Sequence, residues 1–405
     1  MCNKFIVTTL LIIMVLTPAC FAVESSYIWS EYPYAMEVSA DATSQNFLNL
    51  ESGSAILIEQ TTGEILYEHN SHEQLRPASV TKVMSILLIF EALDSGRITL
   101  QDRVPCSEKA ASMGGSQIWL DTTETLSVDE MIKAICVVSA NDCVVAMAEY
   151  LSGSEEAFVE QMNKRAKELG MNDTTFKNCH GIDEDGHVTS SYDISLMSKE
   201  LLNNHPAVTK YTTIYMDSLR DGKSELVNTN KLVRNYQGAT GLKTGSTSLA
   251  LYNLSASATR NDLSLIAVIM RAPTTKIRFA EAKKLLDYGF NNYEYKKLAT
   301  KGEFVNSVEL SKGLEDNVNL VYETDGGAFI KKGEGSNVEQ IVSIDENISA
   351  PVSKGQKLGT VKYMINGEEI SSVNLIAESD IGKITVKNMI KCVYGSWFNV
   401  LKNKS

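Results

Sequence analysis

The amino-acid sequence predicts a chain of mixed α/β (α+β) structure, in which helices flank an antiparallel sheet. Two pairs of short apolar runs are each separated by a turn signal, and these pairs predict β-hairpins. Between the pairs, apolar residues recur at helical spacing and predict the flanking helices. The length of 405 residues, 43% of them hydrophobic, is enough for two domains. We therefore predict an α+β domain at residues 51–294, a small all-β domain at 295–378 and an amphipathic helix at 379–405.

Residues 1–22 have the composition of a secretory signal peptide. Lys4 is followed by an apolar run that begins at Phe5, and the small residue Ala22 ends the segment, so we expect cleavage after it. An uncleaved membrane anchor is the alternative, although the apolar run is short for a span. Residues 23–50 are mixed and polar-aromatic, and we expect an extension that leads into the fold.

Net charge and cysteine usage bear on the partners and cofactors of the chain. The formal net charge of −12 argues against nucleic acid as a partner. Removal of the signal leaves an odd number of cysteines, so at least one thiol is expected to stay unpaired within a monomer. These cysteines are Cys106, Cys136, Cys143, Cys179 and Cys392. Their spacing contains no Cys-x-x-Cys pair, and we expect neither a metal nor a cofactor.

The first half of the chain opens with a hairpin and continues with helices. Apolar runs at 55–59 and 64–68 flank a turn at Gly63, which predicts the hairpin. A strongly apolar helix follows Ser79 and is expected to end at Gly96. Residues 100–126 are expected to form loop and short strand. Further helices are predicted at residues 129–138, 143–151, 155–169 and 193–203.

The second half begins with a hairpin and then turns to short strands. Residues 252–258 and 263–270 predict an antiparallel pair, with Lys243 on the strand before it and a helix at 279–288 after it. No candidate pair of nucleophile and base occurs beyond 295, and this region is expected to be a spacer or an interaction module. Its strands are predicted at residues 305–310, 318–322, 338–344, 358–365 and 371–377.

The last residues of the chain predict an amphipathic helix. Apolar side chains recur at helical spacing at Val386, Ile390, Val393, Trp397 and Leu401, and lysines at Lys383, Lys387 and Lys391. Such a helix lies in a membrane interface, with aromatic rings at headgroup depth and lysines toward anionic lipid. The alternative is a terminal helix that docks on its own domain.

A Ser-x-x-Lys pair stands at the start of the first apolar helix. Ser79 and Lys82 lie one turn apart on the same face, which puts a nucleophile beside a base. The backbone N–H of Ser79 would face a developing oxyanion. A serine cap followed by a surface lysine gives the same pattern. A buried Lys82 and partners further along the chain would favour the catalytic interpretation.

Two further polar signals lie in apolar surroundings. Ser139 and Asn141 occupy a turn between two apolar helices, where an unpaired polar group costs about 1–3 kcal/mol. Lys243, Thr244 and Gly245 precede the second predicted hairpin. A functional explanation therefore gains weight at the Ser139–Asn141 turn.

These three motifs, in this order, resemble those of the penicillin-binding proteins and class A β-lactamases. The chain resembles more closely the D-alanyl-D-alanine carboxypeptidases, the low-molecular-mass penicillin-binding proteins, from about residue 55 to the C-terminus. The matching stretches are Arg76-Pro77-Ala78-Ser79-Val80-Thr81-Lys82, Ser139-Ala140-Asn141-Asp142-Cys143, His180-Gly181-Ile182-Asp183, Gly241-Leu242-Lys243-Thr244-Gly245 and the segment from Arg278 to Phe290. The resemblance implies a serine β-lactamase/transpeptidase-like catalytic domain.

The resemblance implies acyl transfer in two steps. Ser79 would be the nucleophile, and Lys82, with a pKa lowered by its apolar helix and by Lys243, would be the base. Ser139 would relay a proton to the leaving amine. The backbone N–H groups of Ser79 and Ser246 would form the oxyanion hole.

The same resemblance assigns the substrate-binding residues Asn141, Lys243, Thr244, Gly245, Ser246 and Arg278. Lys243 and Thr244 would bind the terminal carboxylate of the substrate with help from Arg278, and Asn141 would hold a substrate amide. Gly245 would let the strand approach the ligand edge. Lys231 matches a second basic position but lacks the guanidinium fork.

The implied activity is removal of the terminal D-alanine from peptidoglycan stem peptides that end in D-Ala-D-Ala, through an acyl-enzyme at Ser79. β-Lactam antibiotics would acylate the same serine. The implied location is the outer face of the cytoplasmic membrane, with peripheral anchoring by the C-terminal helix.

Two alternatives are a class A-like β-lactamase and a non-catalytic penicillin-binding sensor of the cell wall. The β-lactamase needs a glutamate with an asparagine four residues on, and Glu168 and Asn172 have this spacing but lie at a predicted helix end. The sensor is disfavoured by the intact Ser79, Lys82, Ser139 and Lys243.

Two features receive structural interpretations. The acidic and histidine-rich stretch 180–187 is typical of a tight turn, with a metal site as the alternative. Cys143 either lines the cleft or is a small buried hydrophobic residue, and the second interpretation is favoured.

Overall fold

The structure, a computed structural model, describes residues 46–386 and residue 390. The predicted signal peptide, the extension up to residue 45, and residues 387–389 and 391–405 of the predicted terminal helix lie outside these residues. The start of that helix, predicted at residue 379, is wrong: residues 379–385 are not helical, because Ile381 and Lys383 form β-bridges with Val352 and Gly313 of the second domain. Within the described part, no helix combines the length and the apolar character needed to cross a membrane.

The described elements follow the chain in this order. The strands are β1 Ser54–Glu59, β2 Ile65–His69, β3 Arg103–Pro105, β4 Thr125–Ser127, β5 Met216–Leu219, β6 Ser224–Val227, β7 Ala239–Thr247, β8 Leu251–Arg260, β9 Leu263–Ala272, β10 Tyr293–Ala299, β11 Phe304–Glu309, β12 Asn317–Tyr322, β13 Gly326–Lys331, β14 Glu339–Ile344, β15 Lys357–Ile365 and β16 Glu368–Ala377. The helices are α1 Lys82–Asp94, α2 Glu108–Ala111, α3 Val128–Val137, α4 Asn141–Ser152, α5 Glu155–Glu168, α6 Ser191–Asn204, α7 Thr209–Thr212, α8 Leu232–Asn235 and α9 Thr275–Asn292.

The first domain is built on a five-stranded antiparallel sheet with the order β2-β1-β9-β8-β7. Both predicted hairpins are confirmed. The turn between β8 and β9 has left-handed backbone at Asn261 and Asp262, as a two-residue hairpin loop requires. All six residues of β1 are buried, because helices cover both faces of the sheet.

Helix α1 runs through the interior of the helical layer. Ten of its thirteen residues are buried, so it is apolar around most of its circumference and not amphipathic. It ends at Asp94, and Gly96, which follows the C-cap Ser95, has the left-handed φ of +71° expected after a helix end. The helices predicted at 129–138, 143–151, 155–169 and 193–203 are confirmed as α3, α4, α5 and α6, with ends within two residues.

Two helical predictions fell short of the structure. Helix α9 extends four residues beyond each end of the predicted 279–288, and the side chain of Thr274 caps it by accepting from Ile277 N. In the segment 100–126, expected to be loop and strand, a short helix α2 is capped by Ser107, which accepts from Ala110 N. In both cases a Ser or Thr N-cap was the missed signal.

The second domain is a small all-β unit, as predicted. Its five-stranded sheet has the order β11-β12-β16-β15-β14, and all five predicted strands are confirmed. A further two-stranded sheet of β10 and β13 was not predicted. Strand β10 begins directly after α9, and Tyr293 stacks on Phe329 at a centroid distance of 4.9 Å.

The described end of the predicted extension packs on the first domain. Phe47 makes edge contacts with the rings of Tyr67 and Tyr288, at centroid distances of 5.2 and 5.4 Å. Asn46 accepts a hydrogen bond from the Tyr67 hydroxyl. Residues 46–50 therefore belong to the packed structure.

Candidate active site

Ser79 and Lys82 meet at the point where the chain enters α1. Ser79 lies in a 3₁₀ turn, Ala78–Thr81, and Lys82 Nζ lies 3.1 Å from its Oγ. The N-cap of α1 is Thr81, and Ser79 makes no capping bond, so the helix-cap interpretation is wrong. The Lys82 side chain is fully buried, and a surface lysine is excluded.

The hydrogen bonds of Lys82 fit a neutral amine. Its Nζ donates to Asn141 Oδ1 at 2.6 Å and to the His180 carbonyl at 2.7 Å. Both partners can only accept, so they use the two N–H groups of a neutral amine and leave its lone pair for the Ser79 hydroxyl. Burial lowers the pKa of Lys82 well below its ordinary value, and the positive charge of Lys243 lowers it further. This amine can take a proton from the serine.

The Ser79 turn is held by a hydrogen-bonded histidine behind it. Ala78 has left-handed backbone, with φ +48°, and its carbonyl accepts from Thr81 Oγ1 at 2.8 Å. His187 Nε2 lies 2.8 Å from the same Oγ1, and Lys177 N donates to His187 Nδ1. These bonds place the ring proton on Nε2. Burial lowers the pKa of His187 to about 4, so the ring is neutral near pH 7.

The stretch 180–187 is a tight turn that serves this site. Gly181 has φ +91°, and a Cβ there would lie 1.9 Å from the Ala78 carbonyl oxygen, so only glycine fits. Asn178 Oδ1 accepts from Gly181 N and closes the turn. The turn aims the His180 carbonyl at Lys82. The described residues contain no cluster suited to a metal ion.

The turn between α3 and α4 brings Asn141, but not the hydroxyl of Ser139, into contact with Lys82. Asn141 Nδ2 donates to the Gly114 carbonyl at 2.7 Å while its Oδ1 accepts from Lys82. Ser139 has φ +67°, and its buried Oγ has no hydrogen-bond partner among the described residues. Asn141 therefore makes a contact with the lysine that was not predicted, and its contact with a substrate amide stays a prediction.

Asp142 is a site-building residue that sequence reasoning missed. Its fully buried Oδ2 accepts from Ile118 N and Leu120 N, each at 3.0 Å. The carboxylate thereby ties the 114–120 loop to the Ser139 turn. Cys143, next to it, is fully buried, and burial raises the pKa of its thiol well above the ordinary value. The favoured interpretation of Cys143 as a small buried residue agrees with this position.

Strand β7 passes directly against the Ser79 turn. A Cβ at Gly245 would lie 2.9 Å from the backbone N of both Ser79 and Val80, so the glycine lets the strand lie close to the Ser79 turn. The approach of this strand to the edge of a ligand stays a prediction. Lys243 is 1% exposed and donates to the Thr244 carbonyl at 2.9 Å. Burial lowers the pKa of Lys243 to about 7. A chargeable amine thus lies two residues before the glycine on the same strand.

Arg278 lies behind β7. Its Nη1 donates to the carbonyls of Gly245 and Asn253, each at 3.2 Å, and the side chain is 5% exposed. Burial lowers the pKa of Arg278 to about 10, so the guanidinium remains charged at neutral pH. Its buried Nε has no partner among the described residues. Ser246 follows Gly245 on the strand and is exposed.

The remaining candidates lie outside these contacts. Lys231 is exposed and lines a groove of about 520 Å³ with Thr275 and Phe279. Glu168 forms ion pairs with its helix neighbours Lys164 and Arg165 at the end of α5. The glutamate that the β-lactamase alternative requires is therefore engaged on a helix surface.

Comparison with known proteins identifies the family of this chain. Residues 38–274 match the profile of the D-alanyl-D-alanine carboxypeptidases, and residues 293–383 match that of the penicillin-binding protein 5 C-terminal domain. D-alanyl-D-alanine carboxypeptidase DacF of Bacillus subtilis is 44% identical over 401 residues, which are 97% of this chain and 99% of that relative.

Solved structures agree with this match. Penicillin binding protein 5 from Haemophilus influenzae superposes with a TM-score of 0.67 at 34% identity, covering 82% of this chain and 98% of that chain. Penicillin-Binding Protein D2 from Listeria monocytogenes, in its ampicillin-bound form, superposes with a TM-score of 0.55 at 31% identity, covering 60% of this chain and 99% of that chain. The resemblance inferred from the motifs is confirmed. The chain belongs to the D-alanyl-D-alanine carboxypeptidase family and is a serine-type peptidase.

Proposed function

We propose that this protein removes the terminal D-alanine from peptidoglycan stem peptides that end in D-Ala-D-Ala, through an acyl-enzyme at Ser79. The main support for the proposal is the Lys82 amine, which is fully buried and lies 3.1 Å from Ser79 Oγ. This amine donates hydrogen bonds to two oxygens that can only accept. Such an amine activates a hydroxyl that is otherwise a weak nucleophile.

In the acylation step, Ser79 Oγ attacks the carbonyl of the penultimate D-alanine and its proton passes to Lys82 Nζ. The backbone N–H groups of Ser79 and Ser246 donate to the oxyanion, on either side of the close approach at Gly245. The proton that Lys82 took from Ser79 passes through the Ser139 hydroxyl, which has no hydrogen-bond partner among the described residues, to the amine of the leaving D-alanine as the peptide C–N bond breaks. Water then attacks the ester and gives a proton to the neutral Lys82, which returns it to Ser79 Oγ.

The terminal carboxylate of the substrate binds beside β7. Lys243 and the Thr244 hydroxyl, which donates to Thr229 Oγ1 at 2.7 Å before substrate binds, turn to it. The Arg278 guanidinium adds positive charge from behind Gly245. The substrate lies along the edge of β7 as an added strand. The reactive carbonyl then falls next to Ser79.

The direct test is the release of D-alanine from a peptide that ends in D-Ala-D-Ala, followed together with the mass of the Ser79 peptide after exposure to ampicillin. A carboxypeptidase gives catalytic release and a β-lactam adduct on Ser79. An adduct without release would instead favour the sensor. Rapid loss of the adduct with turnover of ampicillin, and no release, would favour the β-lactamase.

The activity is expected to depend on pH because one lysine of the site must be neutral and another must be charged. Lys82 acts when neutral, so kcat/KM rises as pH passes its lowered pKa. Lys243 acts when charged, so kcat/KM falls as pH rises through its pKa of about 7. In a Lys243→Arg variant the charge persists, and the alkaline fall in the kcat/KM profile moves to higher pH. An unchanged alkaline limb in that variant would exclude Lys243 as its origin.

We also propose that the protein is exported and bound to the outer face of the cytoplasmic membrane by its C-terminal segment. The lysine-rich amphipathic pattern of residues 379–405 supports this location. Val386 and Ile390, the two described residues of its apolar face, are 74% and 52% exposed, which disfavours docking on the protein itself.

Vesicle binding tests the membrane proposal. The chain without its signal is expected to float with vesicles that contain anionic lipid. A truncation after residue 385, which keeps the core residue Ile381 of the second domain, is expected to stay in solution. Replacement of Lys383, Lys387 and Lys391 with glutamine should weaken binding by roughly 1 kcal/mol per lysine at low salt. Equal flotation of the full and truncated chains would contradict the proposal.

A further inference from the structure

A pocket with two arginines lies next to the end of β7. It encloses about 280 Å³, and its lining includes Arg76, Arg271, Leu249 and Ala250. Arg76 directly precedes the turn that carries Ser79, and Leu249 and Ala250 directly follow β7. We call this the arginine pocket. The residues that line it are therefore adjacent in sequence to the two segments that form the reactive centre.

One buried amide fixes the backbones of both arginines. Asn253 is fully buried, its Nδ2 donates to the Arg76 carbonyl at 2.8 Å, and its Oδ1 accepts from Arg271 N at 2.7 Å. Asn253 is also the cross-strand partner of Gly245. The position of the arginine pair is therefore tied to the strand position that faces Ser79.

The backbone around Arg271 is adapted to this side chain. Arg271 has left-handed backbone, with φ +57°. Its side chain crosses Gly53, where an added Cβ would lie 3.3 Å from Arg271 Cβ and Cδ. A larger residue at Gly53 would press on the arginine, so the glycine makes room for it.

The direction of the bound peptide leads to this pocket. With the terminal carboxylate at Lys243 and Thr244 and the reactive carbonyl at Gly245, the peptide runs antiparallel to β7. Its residues upstream of the scissile bond therefore continue past Ser246 toward Leu249 and Ala250, at about 3.3 Å per residue. This path ends at the arginine pocket.

We propose that the arginine pocket binds a carboxylate carried by a peptide residue upstream of D-Ala-D-Ala, and that it makes the enzyme selective for acidic peptides. The inference rests on the proposed function. The carboxylate partners of the two arginines are easily exchanged. Asp185, which pairs with Arg76 at 3.1 Å, is fully exposed, and the Arg271–Glu73 pair is 3.9 Å long and half-exposed. Exposed pairs of this kind contribute little stability, so a substrate carboxylate can replace them. Arg76 also donates through Nη1 to the Glu184 carbonyl at 3.0 Å, and this bond does not involve a carboxylate.

The test compares synthetic peptides in matched pairs. Each pair ends in D-Ala-D-Ala and carries either glutamate or glutamine, placed one, two or three residues before the D-Ala-D-Ala. We expect at least one pair to show kcat/KM about three- to tenfold higher for the glutamate peptide, mainly through KM, as a charge-assisted contact gives. Arg271→Gln should reduce that preference below about twofold and leave the glutamine peptide unchanged, while Arg271→Lys retains part of it.

The matched control is Arg97→Gln, which removes one exposed arginine beyond the end of α1. In this variant the ratio of kcat/KM between the glutamate and glutamine peptides should be the same as in the wild type for every pair. This control distinguishes an effect of the arginine pocket from a general effect of net charge. Equal kcat/KM for both members of all three pairs would overturn the inference while the proposed function stands. A glutamate preference that survives Arg271→Gln would overturn it too. Failure to release D-alanine from any of the peptides would instead reject the proposed function and the inference together.

Discussion

Replacing Ser79 with alanine is expected to abolish ampicillin labelling and D-alanine release together. Lys82 contacts the Ser79 Oγ, and strand β7 at Gly245 lies against the backbone N of the same residue, so removal of the hydroxyl leaves no nucleophile beside the base. Loss of a serine nucleophile typically costs about 10⁴–10⁶ in kcat. The measurements are intact-protein mass after β-lactam exposure and D-alanine release over several hours.

The fold of the Ser79→Ala variant is expected to be preserved, because the Ser79 side chain caps no helix and is part of no core cluster. Thermal unfolding should therefore match that of the wild type. Ser95→Ala, at the exposed end of α1, is the matched serine control and should keep both activities. Labelling of Ser79→Ala at the wild-type rate would place the acylated residue elsewhere.

The elements of the fold could be predicted because their signals are local. The hairpin of β8 and β9 has two apolar runs around a two-residue turn, and α3 to α6 show apolar residues at helical spacing. The ends of α9 and the presence of α2 were missed at Thr274 and Ser107, where single cap residues decide the boundary. Strands β10 and β13 pair across about thirty residues of sequence, which short-range patterns do not reveal.

The site was predictable as a set of motifs but not as a set of contacts. The spacing of Ser79 and Lys82 placed them on one face, and the structure agrees. The contacts of Lys82 with Asn141 and with the His180 carbonyl join residues 59 and 98 positions apart. Thr81 and His187 are 106 positions apart. Pairing at such separation depends on the tertiary fold, so a single sequence cannot supply it.

Two residues of the site have a strained backbone conformation. Ala78 and Ser139, both with positive φ and neither a glycine, adjoin the two motifs that surround Lys82. Such backbone costs on the order of 1–3 kcal/mol per residue and persists when surrounding contacts enforce it. Gly181 and Thr81 provide those contacts at Ala78. The nucleophile is thus positioned before any substrate arrives.

Replacing Lys82 with methionine is expected to slow acylation of Ser79 by about 10²–10⁴ and to remove its rise with pH, because the variant lacks the proton acceptor. Methionine has nearly the same length, and it leaves Asn141 Oδ1 and the His180 carbonyl without their donor. Each unpaired acceptor costs roughly 1–3 kcal/mol, so the free energy of unfolding should fall as well. The measurement is the rate of ampicillin acylation by mass spectrometry across pH, with urea denaturation beside it.

Two comparisons distinguish loss of the base from loss of the fold. Lys164→Met, on the surface of α5, removes an exposed lysine and should alter neither the acylation rate nor stability by a measurable amount. Lys82→Arg keeps a donor for Asn141 and His180 but cannot give up its proton near neutral pH, so it should also acylate slowly at every pH. Both Lys82 variants lack a proton acceptor, but only Lys82→Arg keeps a hydrogen-bond donor. Slow acylation in both would therefore show that Lys82 accepts the proton of Ser79. Wild-type rates in either variant, with the pH dependence intact, would assign it to another group.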